Sequence, residues 1–490
     1  MTTAGTGRRG AIVPLLVIAT AQLMLVLDDS IVNIALPSIQ RELGVAAVHL
    51  PWLVNAYILA FGALLLLGGR VGDLWGRRRT LQVGIALFVV ASLAGGLGQD
   101  AAMLIVARAV QGVGAALTAP NALALIATTF SDRRTRDAAL SLYGAMSGLG
   151  IVIGLLLGGL LTSTLGWRWV FFVNVPIGLL VLLGSRRLVT AERHSGRLGA
   201  LGAILGTGGM VALVYAITRF AEEGFADPVA LSLVAAAAVL LVTFTATQAR
   251  SSNPLVPLSL FRDRNRSGAY LTMLLVAIGP MGTFYVLTLH LQQVQQLSPL
   301  QTGAAWLPFA VGIVVGAGLA PKLLLLFPPR YVAASGALLS AAAAFWLSML
   351  SVDTSYWSHL APAMFVLALG FGLDAIALTQ AAVYRVDPGQ AGIASALLNS
   401  AQQIGVALGL AILAGIATTV SARPENADLG AAQALVAGYG TALTAAAGLL
   451  LVAAALALVT LTNRVPAEPD PAASAEAGRP DPDLIQTAER

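Results

Sequence analysis

Three aspartates and one arginine lie inside apolar runs of this sequence: Asp28, Asp29, Asp374 and Arg108. A charge in lipid is costly, so such residues face a cavity or a partner and tend to mark proton or substrate pathways. Burial raises the proton affinity of a carboxylate, and a nearby arginine lowers it again. An aspartate beside an arginine inside a membrane can therefore take up and release a proton as its surroundings change. Neighbours on a helix diverge by about 100°, so only one of Asp28 and Asp29 can face a given partner. At about 1.5 Å per residue, Asp28 lies roughly 20–25 Å from the inner end of the first helix, and Arg108 about 9 Å from the outer end of the fourth. In a hydrocarbon core about 30 Å thick, both fall in the outer half, so their depths allow a pair. Asp374, in GFGLDAIALTQ, is expected in the inner half on a face packed against protein. Two plainer readings compete: an extracellular cap at Asp28 or Asp29, and an Arg108 that snorkels to the headgroups. The segment IVNIALP after the aspartates favours continued helix. His290 is expected to mark an aqueous boundary, with a proton relay as the alternative.

The elements that position these residues follow from composition. Of 490 residues, 57% are hydrophobic and 10% charged, against about 25% charged in soluble domains. The apolar blocks reach the roughly 20 residues needed to cross a bilayer. Hydropathy gives about fourteen spans between residues 11 and 462. With the N-terminus inside, inside segments hold twenty-two arginines and Lys322, the one lysine, while outside segments hold Arg41, Arg168, Arg219 and Arg423. That asymmetry is what the positive-inside rule requires, and it places both termini in the cytoplasm. The first span follows Arg8 and Arg9 but is too long for a signal peptide and lacks a cleavage site. Residues 463–490, rich in Pro, Ala and acid, read as a disordered tail.

Absent residues also exclude functions. With no cysteine there is no disulfide, thiol catalysis or Cys-based metal site. Four scattered histidines argue against zinc, so no metal is expected. The net charge of +5 fits loops held against anionic lipid and not nucleic-acid binding. No catalytic or phosphate-binding constellation appears, so the chain is not expected to be an enzyme.

The first inside loop reads GGRVGDLWGRRRTL over residues 68–81. Gly69, four residues before Asp73, is expected to allow close helix approach, and Gly76 a tight turn. Asp73 is expected to pair with a basic residue or a helix N-terminus across the interface, with Arg77 and Arg78 beside it.

This loop resembles that between the second and third helices of the major facilitator superfamily. LDDSIVNIALPSI, RAVQGVGAA from Arg108, WRWVFFVNVPIG, PLVPLSLF, SPLQTGAAWLP and GIASALLNSAQQIGVALG are similar to segments of its fourteen-span drug:proton antiporters. The fifth-helix glycines Gly150, Gly154, Gly158 and Gly159 match, but Leu155 stands where those antiporters carry proline. Gly199 stands where an acid often precedes the seventh helix.

The resemblance implies an all-α polytopic membrane protein with two six-helix bundles, residues 11–185 and 268–462. A cytoplasmic tail, 1–10, precedes them, and two extra transmembrane helices, within 186–267, lie between them. It implies alternating access, with Asp28, Asp29, Arg108 and Asp374 coupling proton entry to export. Gly69, Asp73, Gly76, Arg77 and Arg78 would latch the inner face. The substrate cavity would be large and mostly apolar, with Asn33, Gln111, His290, Gln292, Gln293, Asn399, Gln402 and Gln403 as polar candidates. A neutral or monocationic amphipathic small molecule is the expected substrate. The proton gradient is the expected driving force, with no cofactor, and a monomer in a bacterial inner membrane the expected form. Leu155 keeps open a symporter or facilitator for a small metabolite, and a non-transporting sensor or scaffold is a further alternative.

Overall fold

Inside lipid no water can satisfy a backbone amide, so a chain this apolar must form helices that satisfy their own. The computed structural model describes residues 6–130, 133–188, 199–251, 254–386, 390–426 and 430–461. The expected tail at 463–490 lies outside the described residues.

The first half begins with α1 (Thr6–Leu43), α2 (Trp52–Trp75), α3 (Arg77–Gly96), α4 (Ala101–Thr129) and α5 (Arg133–Thr164). A broken helix, α6 (Trp169–Phe172) and α7 (Asn174–Ser185), completes it. Two helices follow, α8 (Ala200–Glu223) and α9 (Pro228–Arg250). The second half contains α10 (Arg264–Leu289), which runs on into a π-helical turn at His290–Val294. After it come α11 (Pro299–Ala305), α12 (Leu307–Leu326), α13 (Pro329–Ser348), α14 (Ala361–Val383), α15 (Ala391–Ser421) and α16 (Ala431–Thr460). Among the described residues, thirteen segments are long and apolar enough to cross a membrane, and Trp169–Ser185 is a shorter apolar one. The first helix runs to Leu43, which puts Asp28 at the middle of the apolar stretch Val13–Leu43.

The same packing scheme appears in both halves. Helix α1 packs on α5, and α10 on α15; α2 packs on α4, and α12 on α14; α3 packs on α4, and α13 on α14. The contacts are made through glycine, which lets backbones approach closely. A Cβ at Gly150, Gly154 or Gly158 of α5 would strike Val26, Ser30 or Ile31 of α1. A Cβ at Gly405 or Gly409 of α15 would likewise strike Leu274 or Ile278 of α10. Gly84 meets Gly114 where α3 crosses α4, and Gly336 meets Gly370 where α13 crosses α14.

The halves meet along two seams, α2 against α15 and α5 against α11 and α12. The extra pair is central in the chain but peripheral in space: α8 covers the first seam, touching α2 and α15, and α9 packs outside it. Among the described residues, arginines gather at one end of the bundle. Several satisfy helix carbonyls there, as Arg266 does with Ala382 and Arg264 with Val459. At the opposite end Arg168 is paired with Glu42, and Arg219 with Asp227 at 2.9 Å, so two of the four arginines there carry a compensating acid.

The basic loop corrects two expectations. Gly76 makes the turn with φ of 101°, a conformation glycine adopts without strain. Close approach, however, falls to Gly68 and Gly72, whose Cβ atoms would collide with the Ala116 carbonyl and the Asn121 side chain of α4. At Gly69 a Cβ would meet Pro120 at an ordinary 3.7 Å. Asp73 pairs with Arg77 at 3.2 Å within the loop, not across the interface. Arg77 also donates to the Ala124 carbonyl and Arg78 to that of Leu188, all inside the first half. Overpacking costs about 1–3 kcal/mol. Gly68→Ala is therefore expected to lower the unfolding temperature of the purified protein by several degrees, and Gly69→Ala to leave it unchanged. Equal shifts for the two variants would contradict this assignment of the contact.

Candidate functional site

Asp28 is fully buried and its carboxylate accepts from three side chains on two other helices. Arg108 Nη1 donates to Oδ2 at 2.5 Å, Asn174 Nδ2 to Oδ1 at 2.7 Å, and Gln111 Nε2 to Oδ1 at 3.1 Å. Arg108 and Gln111 are three residues apart on α4 and so share a face. Asn174 comes from α7, immediately after the break at Val173. Gln111 also donates to Ser92 of α3, and Arg108 Nε to the Leu53 carbonyl of α2. The Arg108 guanidinium lies 4.3 Å from the Tyr57 ring centre, within cation–π range. Four helices of the first half thus converge on one carboxylate carried by the fifth, α1. A buried ion pair is stabilising only if further hydrogen bonds satisfy its remaining groups. Here nearly all are satisfied; Arg108 Nη2 and Asn174 Oδ1 have no partner.

Asp29 points away from this network. Its side chain is half-buried, and its Oδ1 has no hydrogen-bond partner. Asn33, one turn on, donates to the Asp29 backbone carbonyl at 2.9 Å.

Beyond these residues the two halves are tied together at the arginine-poor end. Gln292 donates to the Ile34 carbonyl and Gln293 to Gln40, both at 2.9 Å, and Tyr439 donates to Gln293 at 3.3 Å. The α5 seam is tight at the same end: Gly159 faces Leu300, and Gly303 faces the Leu155 carbonyl. Nearer the arginine-rich end, Gly144, Ala145 and Leu149 of α5 and Asn399 of α15 are exposed. Gln402 and Gln403 are half-buried on α15, with Gln403 against Gly62 of α2. This is a conformation closed at the arginine-poor end.

Several expected roles change. Gln111 belongs to the Asp28 network and not to a substrate cavity. Gln292 and Gln293 are engaged in the clasp between the halves. His290 does not mark an aqueous boundary: it is fully buried, neither ring nitrogen has a partner, and its ring stands edge-on to Tyr439 at 6.3 Å. Asp374 is fully buried with both oxygens unpartnered. It faces Gly336 of α13, away from the first half, where a repeat-related Thr118 of α4 faces Gly84. It therefore does not line a cavity between the halves. Asn174, Ser92 and Tyr57 were not singled out from sequence. The signal for Asn174 was a lone amide in the apolar run FFVNVPIG.

Removing one partner of a buried pair costs about 3–5 kcal/mol. Asp28→Asn and Arg108→Gln are each expected to destabilise the protein strongly. The double variant should recover a coupling of about 2 kcal/mol, read from unfolding in mixed micelles. Additive losses would show that the pair is not a unit.

Comparison with known proteins places this geometry in a family. The Major Facilitator Superfamily model matches residues 18–410. The puromycin resistance protein pur8 of Streptomyces alboniger is 45% identical over 464 residues, 92% of each chain. The cephamycin export protein CmcT of Amycolatopsis lactamdurans is 36% identical over 459 residues, again 92% of each. The crystal structure of an auto-inhibited POT family peptide transporter superposes with a TM-score of 0.69 at 14% identity, covering 94% of this chain and 99% of its own. The helical scheme, the motifs and the relatives agree: this chain belongs to the major facilitator superfamily of membrane transporters.

Proposed function

We propose that the protein exports amphipathic antibiotics or drug-like molecules across a bacterial cytoplasmic membrane in exchange for protons, by alternating access. Relatives named for puromycin resistance and cephamycin export support the substrate class. The single observation that carries the proton half is the Asp28–Arg108 pair, an ionisable couple sealed at mid-membrane by three donors.

The cycle follows from electrostatics. In the conformation closed at the arginine-poor end, the Asp28 carboxylate accepts from Arg108, Gln111 and Asn174. When that end opens to the more acidic exterior, a proton neutralises Asp28. The neutral acid holds Arg108 less strongly, so the network that fastens α1 to α4 and α7 loosens. A ligand shifts such an equilibrium only through its differential affinity for the two states. The proton acts this way on Asp28, and the substrate acts the opposite way from the inside. Parting the halves at the arginine-poor end requires release of Gln292 from Ile34 and of Gln293 from Gln40. The loop around Asp73, bound to α4 through Arg77, keeps α2, α3 and α4 together as they move.

Expression in a drug-sensitive bacterium is expected to raise tolerance to at least one amphipathic antibiotic, and an uncoupler should abolish the accompanying efflux. Asp28→Asn at equal abundance should return tolerance to the vector level. An unchanged susceptibility panel would contradict export, and full tolerance in Asp28→Asn would remove Asp28 from the coupling.

A further inference from the structure

Gln22, Asp29, Asn33 and Gln40 are spaced by seven, four and seven residues along α1. At about 100° per residue they form a single stripe. The direction of the stripe is fixed at one end, because Gln40 is bonded to Gln293 of the second half. Asp28 faces α4 and α7, and Ser30 faces Gly154 of α5. Asp29 therefore faces the opposing half, about three turns short of the clasp at Gln40.

Its charge is not spent there. Among the described residues the Asp29 carboxylate makes no hydrogen bond or ion pair, and one of its oxygens is shut off from solvent. Arg108 bonds to Asp28, Gln111 and the Leu53 carbonyl and lies on the Tyr57 ring, and its remaining Nη2 makes no bond to Asp29. Asp374, a fully buried carboxylate without a partner, faces α13. On α15, which meets α2 across the first seam, Asn399, Gln402 and Gln403 are polar but uncharged. Among the described residues, the α1 face toward the second half thus carries one unpaired carboxylate, with neutral amides on α15.

We propose that Asp29 reads the charge of the substrate: it holds the cationic group of a monocationic amphipathic molecule whose apolar body lies between the halves. The inference rests on the export reading and names its specificity group. It separates two tasks between adjacent residues. Asp28 is enclosed by its own half, and Asp29 is left for a cation that arrives. With one such acid, a monocation is neutralised and a dication is not.

Tetraphenylphosphonium and triphenylphosphine oxide share their aryl groups and differ in charge, so their equilibrium binding to the full chain in lipid nanodiscs tests this. The wild type is expected to prefer the cation. Asp29→Asn should weaken tetraphenylphosphonium binding by about tenfold or more and leave the oxide unchanged, which also shows that the variant is folded. Asp29→Glu should restore the preference. No preference in the wild type, unchanged cation binding in Asp29→Asn, or equal loss of both ligands would overturn the proposal. Binding at equilibrium is independent of direction and coupling. A failure here therefore leaves the efflux panel standing, and a failure of export would not by itself erase a charge preference.

Discussion

The cost of a charge in a low-dielectric interior governs this molecule. Asp28 and Arg108 are both fully buried within apolar helices long enough to cross a membrane, where an unpaired ion is costly enough to dictate its neighbours. The neighbours comply: α2 offers the Leu53 carbonyl and the Tyr57 ring, α3 Ser92, α4 Gln111, and α7 Asn174. The break between α6 and α7 lies beside the residue that must reach Asp28. A network of this kind tolerates one charge state well and the other poorly. It can therefore bias which conformation the surrounding helices adopt.

In the proposed cycle, the rest of the fold would let that bias be expressed as motion of bodies, not as local distortion. Glycine contacts fasten α5 to α1 and α15 to α10 almost backbone to backbone. Close-packed contacts are bistable more readily than they are deformable. The joins between the halves at the arginine-poor end are different in kind. They rest on the amides of Gln292 and Gln293 and on a seam at Gly159 and Gly303. Amide hydrogen bonds are modest in net energy, which suits contacts that would form and part in the proposed cycle. The extra pair α8–α9 lies along the α2–α15 seam, outside this machinery.

Much of this was legible in the sequence because lipid leaves a chain few options. Apolar runs and the arginine asymmetry give the spans, and depth along α1 and α4 brings Asp28 level with Arg108. What sequence misjudged was direction about the helix axis. The family resemblance put Asp374 among the proton-coupling residues, and only packing shows that it faces Gly336 of α13. His290 looked like a boundary residue because histidine is polar, yet the π-helical turn carries it inward beside Tyr439. Gly69 was favoured by its spacing from Asp73, whereas the faces that meet α4 carry Gly68 and Gly72. Gln111 read as a free polar group until its partners on α1 and α3 were seen. Three-dimensional partners cannot be inferred from a residue's own element.

The central claim is that the charge on Asp28 links proton movement to substrate movement. Reconstituted liposomes with a trapped pH indicator test it directly. A substrate gradient imposed on wild-type protein should drive protons the opposite way. Asp28→Asn should still exchange labelled for unlabelled substrate while moving no protons. Undiminished proton movement in Asp28→Asn would contradict the account and place the coupling elsewhere.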